Sequence, residues 1–175
     1  MLKRFVSLGA AALAAVVAAC EDGPATVAGG WRSAATWSSM VYASVGGPVW
    51  VQVHGQPFPQ GGDDFRRAVA LAMSRQLVGR VLDFTAAAEE APRPQFRVVL
   101  AFNPPLDAEP AALCAGRVAT LAPPGETVSL LAAFCGNDAL LSWGRGRVGR
   151  VAGADHPRFR RLLGQVVRDL FGSPS

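Results

Sequence analysis

From Phe96 to Phe102 the chain alternates. Phe96, Val98, Leu100 and Phe102 share one face of an extended segment, while Val99 and Ala101 make the other face apolar too. A period of two marks a strand, and apolar residues on both faces predict a central one. Asn103-Pro104-Pro105 ends it, because proline brings no donor to a ladder. Val49, Val51 and Val53 alternate likewise against Trp50, Gln52 and His54, which predicts a half-buried strand before the Gly/Pro-rich loop Gly55 to Gly62. Strand-like text already begins at Val41 and is broken by Gly46-Gly47-Pro48. Apolar runs at Thr127–Cys135 and Ala139–Val151 flank Gly136-Asn137-Asp138, the spacing of a β-hairpin. Shorter strands are expected around Arg80–Ala87 and Arg117–Leu121.

Two segments follow the helical period. Phe65, Val69, Met73 and Leu77 recur every fourth residue behind Asp63 and Asp64, either of which can cap the helix, and Gly79 marks its expected end. The second helix begins at Asp155-His156-Pro157, a cap followed by an early proline. Its stripe is Phe159, Leu162, Leu163, Val166, Val167 and Leu170, opposite Arg161, Gln165 and Arg168. The element order predicts an α+β fold: a mostly antiparallel sheet of about four to five strands with two helices packed on one face.

The first twenty residues follow a different grammar. Lys3 and Arg4 precede an apolar stretch from Phe5 to Val17 that is too short to span a bilayer, and small residues follow it. This predicts an export signal. The signal ends in Val17-Ala18-Ala19-Cys20, which resembles the lipobox of bacterial lipoproteins. The resemblance implies cleavage before Cys20, diacylation of its thiol and then acylation of the new amino group. Several acyl chains anchor stably where one would not. In lipoproteins an Asp directly after the cysteine tends to hold the protein at the inner membrane; with Glu21 there and Asp22 only second, the resemblance implies an address leaning towards the outer membrane, facing the periplasm. The expected organisation is a signal peptide at 1–19, a lipid-anchored flexible tether at 20–39 and one α+β domain at 40–175. Within the Gly/Ala/Ser/Thr-rich tether, Trp31 and Trp37 are expected to dock on the domain or lie near the lipid interface.

Removing the signal changes the charge picture. Lys3 is the only lysine, and 15 arginines face 13 acids in the remaining chain, so the basic whole-chain balance carries no nucleic-acid signal. The charge is uneven, however. From Leu141 onward there are seven Arg and two Asp, and Arg145, Arg147, Arg150 and Arg161 stand out as candidate partner-binding residues.

With Cys20 lipidated, Cys114 and Cys135 remain as an even pair in an oxidising compartment, where a disulfide is expected. Two thiols without a nearby His fall short of a metal site, and their spacing is not that of a Cys-x-x-Cys redox pair. No metal or cofactor is expected.

Catalytic chemistry has few candidates. His54 and His156 are the only imidazole bases, and there is no Gly-x-Ser-x-Gly elbow. Asp63-Asp64 and Glu89-Glu90 sit at a helix start and in a turn, where capping and solubility account for them. The expectation is therefore a non-enzymatic envelope lipoprotein, held to the membrane by its N-terminal lipid, whose domain binds an envelope protein or other component. In element order alone the chain resembles small envelope lipoproteins that assist transport complexes or cell-wall synthases. The alternative is an envelope hydrolase using His54 or His156. The expected contact elements are the loop Gly55–Gly62, the segment Asn103–Cys114 and the Arg-bearing end from Arg145 to Arg161.

Overall fold

The long apolar runs assemble into one sheet in the computed structural model, which describes residues 22–59 and 61–172. The expected signal peptide and Cys20 lie outside the described residues. The strands are β1 (Ala25–Ala28), β2 (Val49–His54), β3 (Phe84–Thr85), β4 (Phe96–Phe102), β5 (Thr127–Gly136) and β6 (Ala139–Gly149). Their spatial order is β1-β6-β5-β4-β2-β3. Pairing is antiparallel from β1 to β4, and parallel for β4–β2 and β2–β3.

The fold is α+β, with a six-stranded mixed sheet in place of the expected mostly antiparallel one. A helix between β2 and β3 returns the chain to its starting end, so the next strand must run parallel. That helix is α2 (Asp63–Met73). It starts at the expected place, but neither Asp caps it: the N-cap is Gly62, while Asp63 and Asp64 pair with Arg66 and Arg67, each at 2.5 Å. It also stops earlier than Gly79. Ser74 adopts an extended conformation, and its hydroxyl accepts from the Phe84 amide at 2.9 Å.

Among the described residues there are four α-helices rather than two. Besides α2 there are α1 (Thr36–Ala43), α3 (Pro110–Cys114) and α4 (Pro157–Phe171). In α1 the buried Thr36, Met40 and Ala43 share one helical face, which explains why Val41 and Tyr42 are not extended. The Thr36 hydroxyl donates to the Leu141 carbonyl at 2.7 Å, tying α1 to β6. The stretch expected as a flexible tether is thus part of the folded unit from Asp22 onward. Ala25–Ala28 is an edge strand, Trp37 packs against the core, and Arg32 donates to the Asp169 and Phe171 carbonyls at the C-terminus of α4. Trp31 is more than half exposed.

The two faces of the sheet are covered differently. On the first face, Val98, Leu100, Phe102, Leu130, Phe134 and Val148 pack beneath α1, α2 and α4. Here Phe58 and Phe159 meet edge to face with centroids 5.0 Å apart, and both belong to a cluster with Phe65 and Phe102. The loop Gly55–Gly62 therefore sends Phe58 inward to this core. On the second face, Val99, Ala101, Leu131, Ala133 and Cys135 are covered by α3 and residues 117–121. That segment is not a strand. Val118 and Leu121 lean on the sheet, while backbone amides at 117 and 122 donate to the Ala112 and Asn103 carbonyls. The Cys114–Cys135 disulfide, with Cα atoms 5.5 Å apart, fastens this cover. Arg97 reinforces it by donating to the Cys114 carbonyl at 2.9 Å and the Asn137 carbonyl at 3.0 Å.

α4 reaches the sheet over glycine. A Cβ at Gly146 would stand 2.7 Å from Cδ1 of the fully buried Leu162. Gly146→Val is expected to destabilise the fold by about 1–3 kcal/mol through overpacking, read as a lower urea midpoint with unchanged m-value. Replacing both Cys114 and Cys135 with Ala is expected to cost about 2–4 kcal/mol by freeing the unfolded chain, measured the same way.

Candidate functional site

β6 alternates glycine and arginine, and the pleat sorts them by face. Gly144 and Gly146 lie beneath α4, so Arg145 and Arg147 emerge on the second face. Opposite them, β1 presents Ala25 and Val27 to the same face, since Ala25 pairs with Arg147 and Val27 with Arg145. On the other side Ser129 of β5 pairs with Arg147. The α3 cover stops short of this end of the sheet, leaving a groove of about 220 Å³. Its wall is the loop after β4, through Pro104 and Leu106.

The groove is apolar with a cationic rim. Val27 is 70% exposed and Leu106 96% exposed, and no carboxylate lines it. Arg145 is oriented by its bond to the Ala108 carbonyl at 2.6 Å, which ties the rim to the loop. The ion pairs among the described residues use Arg66, Arg67, Arg75 and Arg150, so Arg147 keeps its charge unpaired. Open apolar side chains beside a free guanidinium can take a ligand with an apolar body and an anionic group.

The four candidate arginines do not form one patch. Arg145 and Arg147 share the groove. Arg150 follows the strand with a φ of 50° and pairs with Asp22 at 3.2 Å. Arg161 is exposed on α4, in the layer over the opposite face. Of the three expected contact elements, the segment Asn103–Cys114 does meet Arg145, while the loop Gly55–Gly62 serves the first core. Sequence reasoning missed Ala25 and Val27, whereas Leu106 falls within the expected segment Asn103–Cys114 without being singled out. The only signal for the first two was Thr26-Val27, too short between glycine-rich stretches to read as a strand.

The histidines lie apart from the groove. His156 is the N-cap of α4, its Nδ1 accepting from the Arg158 amide at 3.2 Å. His54 ends β2, and its Nε2 is buried without a hydrogen-bond partner. Desolvation, followed by the positive field of Arg66, holds its pKa below the usual imidazole value. A cavity of about 210 Å³ adjoining its strand end is lined by Val53, Gly55, Gln56, Gly62, Phe65 and Arg66, with no hydroxyl, thiol or carboxylate side chain. Glu90 accepts from the Thr85 hydroxyl, so this member of the second carboxylate pair holds its turn, while Glu89 is exposed. No cluster of metal-ligating side chains occurs among the described residues.

The sequence matches no protein-family model and no curated protein. Among solved structures it is similar to a variant of PelC from Paraburkholderia phytofirmans, solved as a dodecamer. The TM-score is 0.45 with 12% identity, over 86% of this chain and 99% of that one.

The depressed pKa of His54 makes stability depend on pH. Above the unfolded value of about 6.5 the imidazole is neutral in both states. As pH falls the unfolded chain takes up the proton first, so stability drops until the folded-state value is passed. Urea midpoints should therefore fall more steeply between pH 7 and 5 for the natural chain than for His54→Gln; parallel curves would contradict this.

Proposed function

We propose that this chain is a lipid-anchored protein of the bacterial cell envelope, facing the periplasm, with the outer membrane favoured over the inner. Its α+β domain binds an envelope component without catalysing a reaction and serves as an accessory to a transport or cell-wall assembly complex. The lipobox-like Val17–Cys20 supports the address. The observation that carries the binding role is the groove, where the unpaired Arg147 stands beside exposed Val27 and Leu106. A guanidinium recognises phosphate or carboxylate in a planar, two-pronged way, and the neighbouring apolar surface adds area burial.

The rival reading is an envelope hydrolase, favoured by the unpartnered Nε2 of His54. It is the weaker of the two, because among the described residues no hydroxyl or thiol side chain hydrogen-bonds this base as a nucleophile would.

Mass spectrometry of the mature protein is expected to show an N-terminal Cys20 carrying a diacylglyceryl thioether; an unmodified start at another residue would refute the anchor. A photo-crosslinker at position 27 in intact cells is expected to give an adduct with the bound component, lipid or protein. Arg147→Ala should lower its yield several-fold while leaving stability within about 0.5 kcal/mol, since Arg147 is exposed. An undiminished adduct would remove Arg147 from the binding surface.

A further inference from the structure

We infer that the envelope component met by this groove is the bilayer surface itself, with Leu106 entering the lipid interface and Arg147 meeting lipid phosphates. The inference rests on the acylation of Cys20 proposed above.

Reach is the first argument. Asp22 is fastened to the domain: its carbonyl accepts from the Gly149 amide at 3.1 Å, and its carboxylate pairs with Arg150 at 3.2 Å. Cys20 lies two residues away, and an extended chain covers at most about 3.6 Å per residue, so the acylated cysteine stays within about 7 Å of Asp22. The headgroup layer is itself about 5–8 Å deep. The end of the sheet that carries Asp22 is therefore held at the headgroups, with no spacer to lift it away.

Position is the second. Gly149 lies opposite Thr127, the first residue of β5, and the loop after β4 emerges at this same end because Phe102 pairs with Leu130. Leu106 projects from that loop with 96% of its surface exposed. Ala25 of the groove is three residues from Asp22, about 10 Å of strand. On the first face this end is covered by α4, so only the second face offers open apolar side chains together with a free cation. Exposed Asp107 and Glu126 belong to the same end and oppose the arginines there, so Leu106 has to supply much of the contact. A weak contact is enough, since the anchor already raises the local concentration of lipid at the domain.

A second set of exposed apolar residues, Leu71, Val78 and Val81, provides the internal control. Val78 and Val81 precede β3, whose Phe84 pairs with Val49 at the start of β2, the end of the sheet opposite to Asp22. The ten residues of β5 separate the two ends by about 33 Å. The native tryptophans Trp31, Trp37, Trp50 and Trp143 also lie towards that far end: Trp50 pairs with Arg97 near the start of β4, and Trp143 pairs with Ala133 towards the hairpin turn.

The test uses the acylated chain in vesicles of phosphatidylethanolamine and phosphatidylglycerol, with and without phospholipid brominated near the headgroup. Leu106→Trp and Val78→Trp both alter nearly fully exposed positions, and both are expected to fold. Leu106→Trp should add blue-shifted fluorescence that brominated lipid quenches several-fold more than that added by Val78→Trp. Mass spectrometry of the same samples separates the two ways to fail. An acylated Cys20 with Leu106→Trp no more quenched than Val78→Trp overturns the docking alone and returns the groove to a protein partner. An unacylated Cys20 overturns the anchor and this inference with it.

Discussion

The closeness of α4 to β6 governs the rest of the structure. Gly144 and Gly146 leave no side chains between helix and strand, and Leu162 occupies the space a Cβ at Gly146 would need. Because strand side chains alternate, glycine on the helix face obliges the intervening residues to face outward on the other side. Those residues are Arg145 and Arg147. One packing requirement on the first face therefore builds the cationic rim on the second. It also explains the edge strand: β1 pairs with β6 beside the same glycines, and Arg32 beyond β1 bonds the last carbonyls of α4.

The second face is stabilised by tethering more than by bulk. Its cover is one short helix and an irregular segment, whose few apolar side chains bury less than a full helical layer would. The disulfide holds the cover at Cys114, and Arg97 satisfies the carbonyl of that residue from beneath. Such a cover can be partial without loss of the fold, because the main core lies on the other side. Where it ends, apolar residues of β1 and the loop after β4 stay open to solvent. The groove is thus the uncovered remainder of a sheet that is buried elsewhere.

Much of this was legible along the chain, and some was not. β4 and α4 follow their periods over seven or more residues, the β5–β6 hairpin shows as two apolar runs around Gly136-Asn137-Asp138, and each lies where its pattern places it. α1 was misread because Val41-Tyr42 has strand propensity, and only contact of Met40 and Ala43 with the core makes the helix worth forming. β1 was hidden because four residues carry too little periodicity; its evidence is the partner strand. Arg145 and Arg147 could be singled out in sequence, whereas Val27 and Leu106 could not, since an exposed apolar residue has no pattern of its own.

The division follows from range. Local periodicity and simple counting are enough for the α+β class, the central strand, the amphipathic closing helix and the cysteine pair. The parallel half of the sheet, the docking of residues 25–43 and the meeting of β1, β6 and the loop after β4 in one groove emerge from packing. Those features bring together residues from 35 positions apart, as Val49 and Phe84, to more than a hundred, as Ala25 and Arg147, and what selects them is which surfaces bury each other.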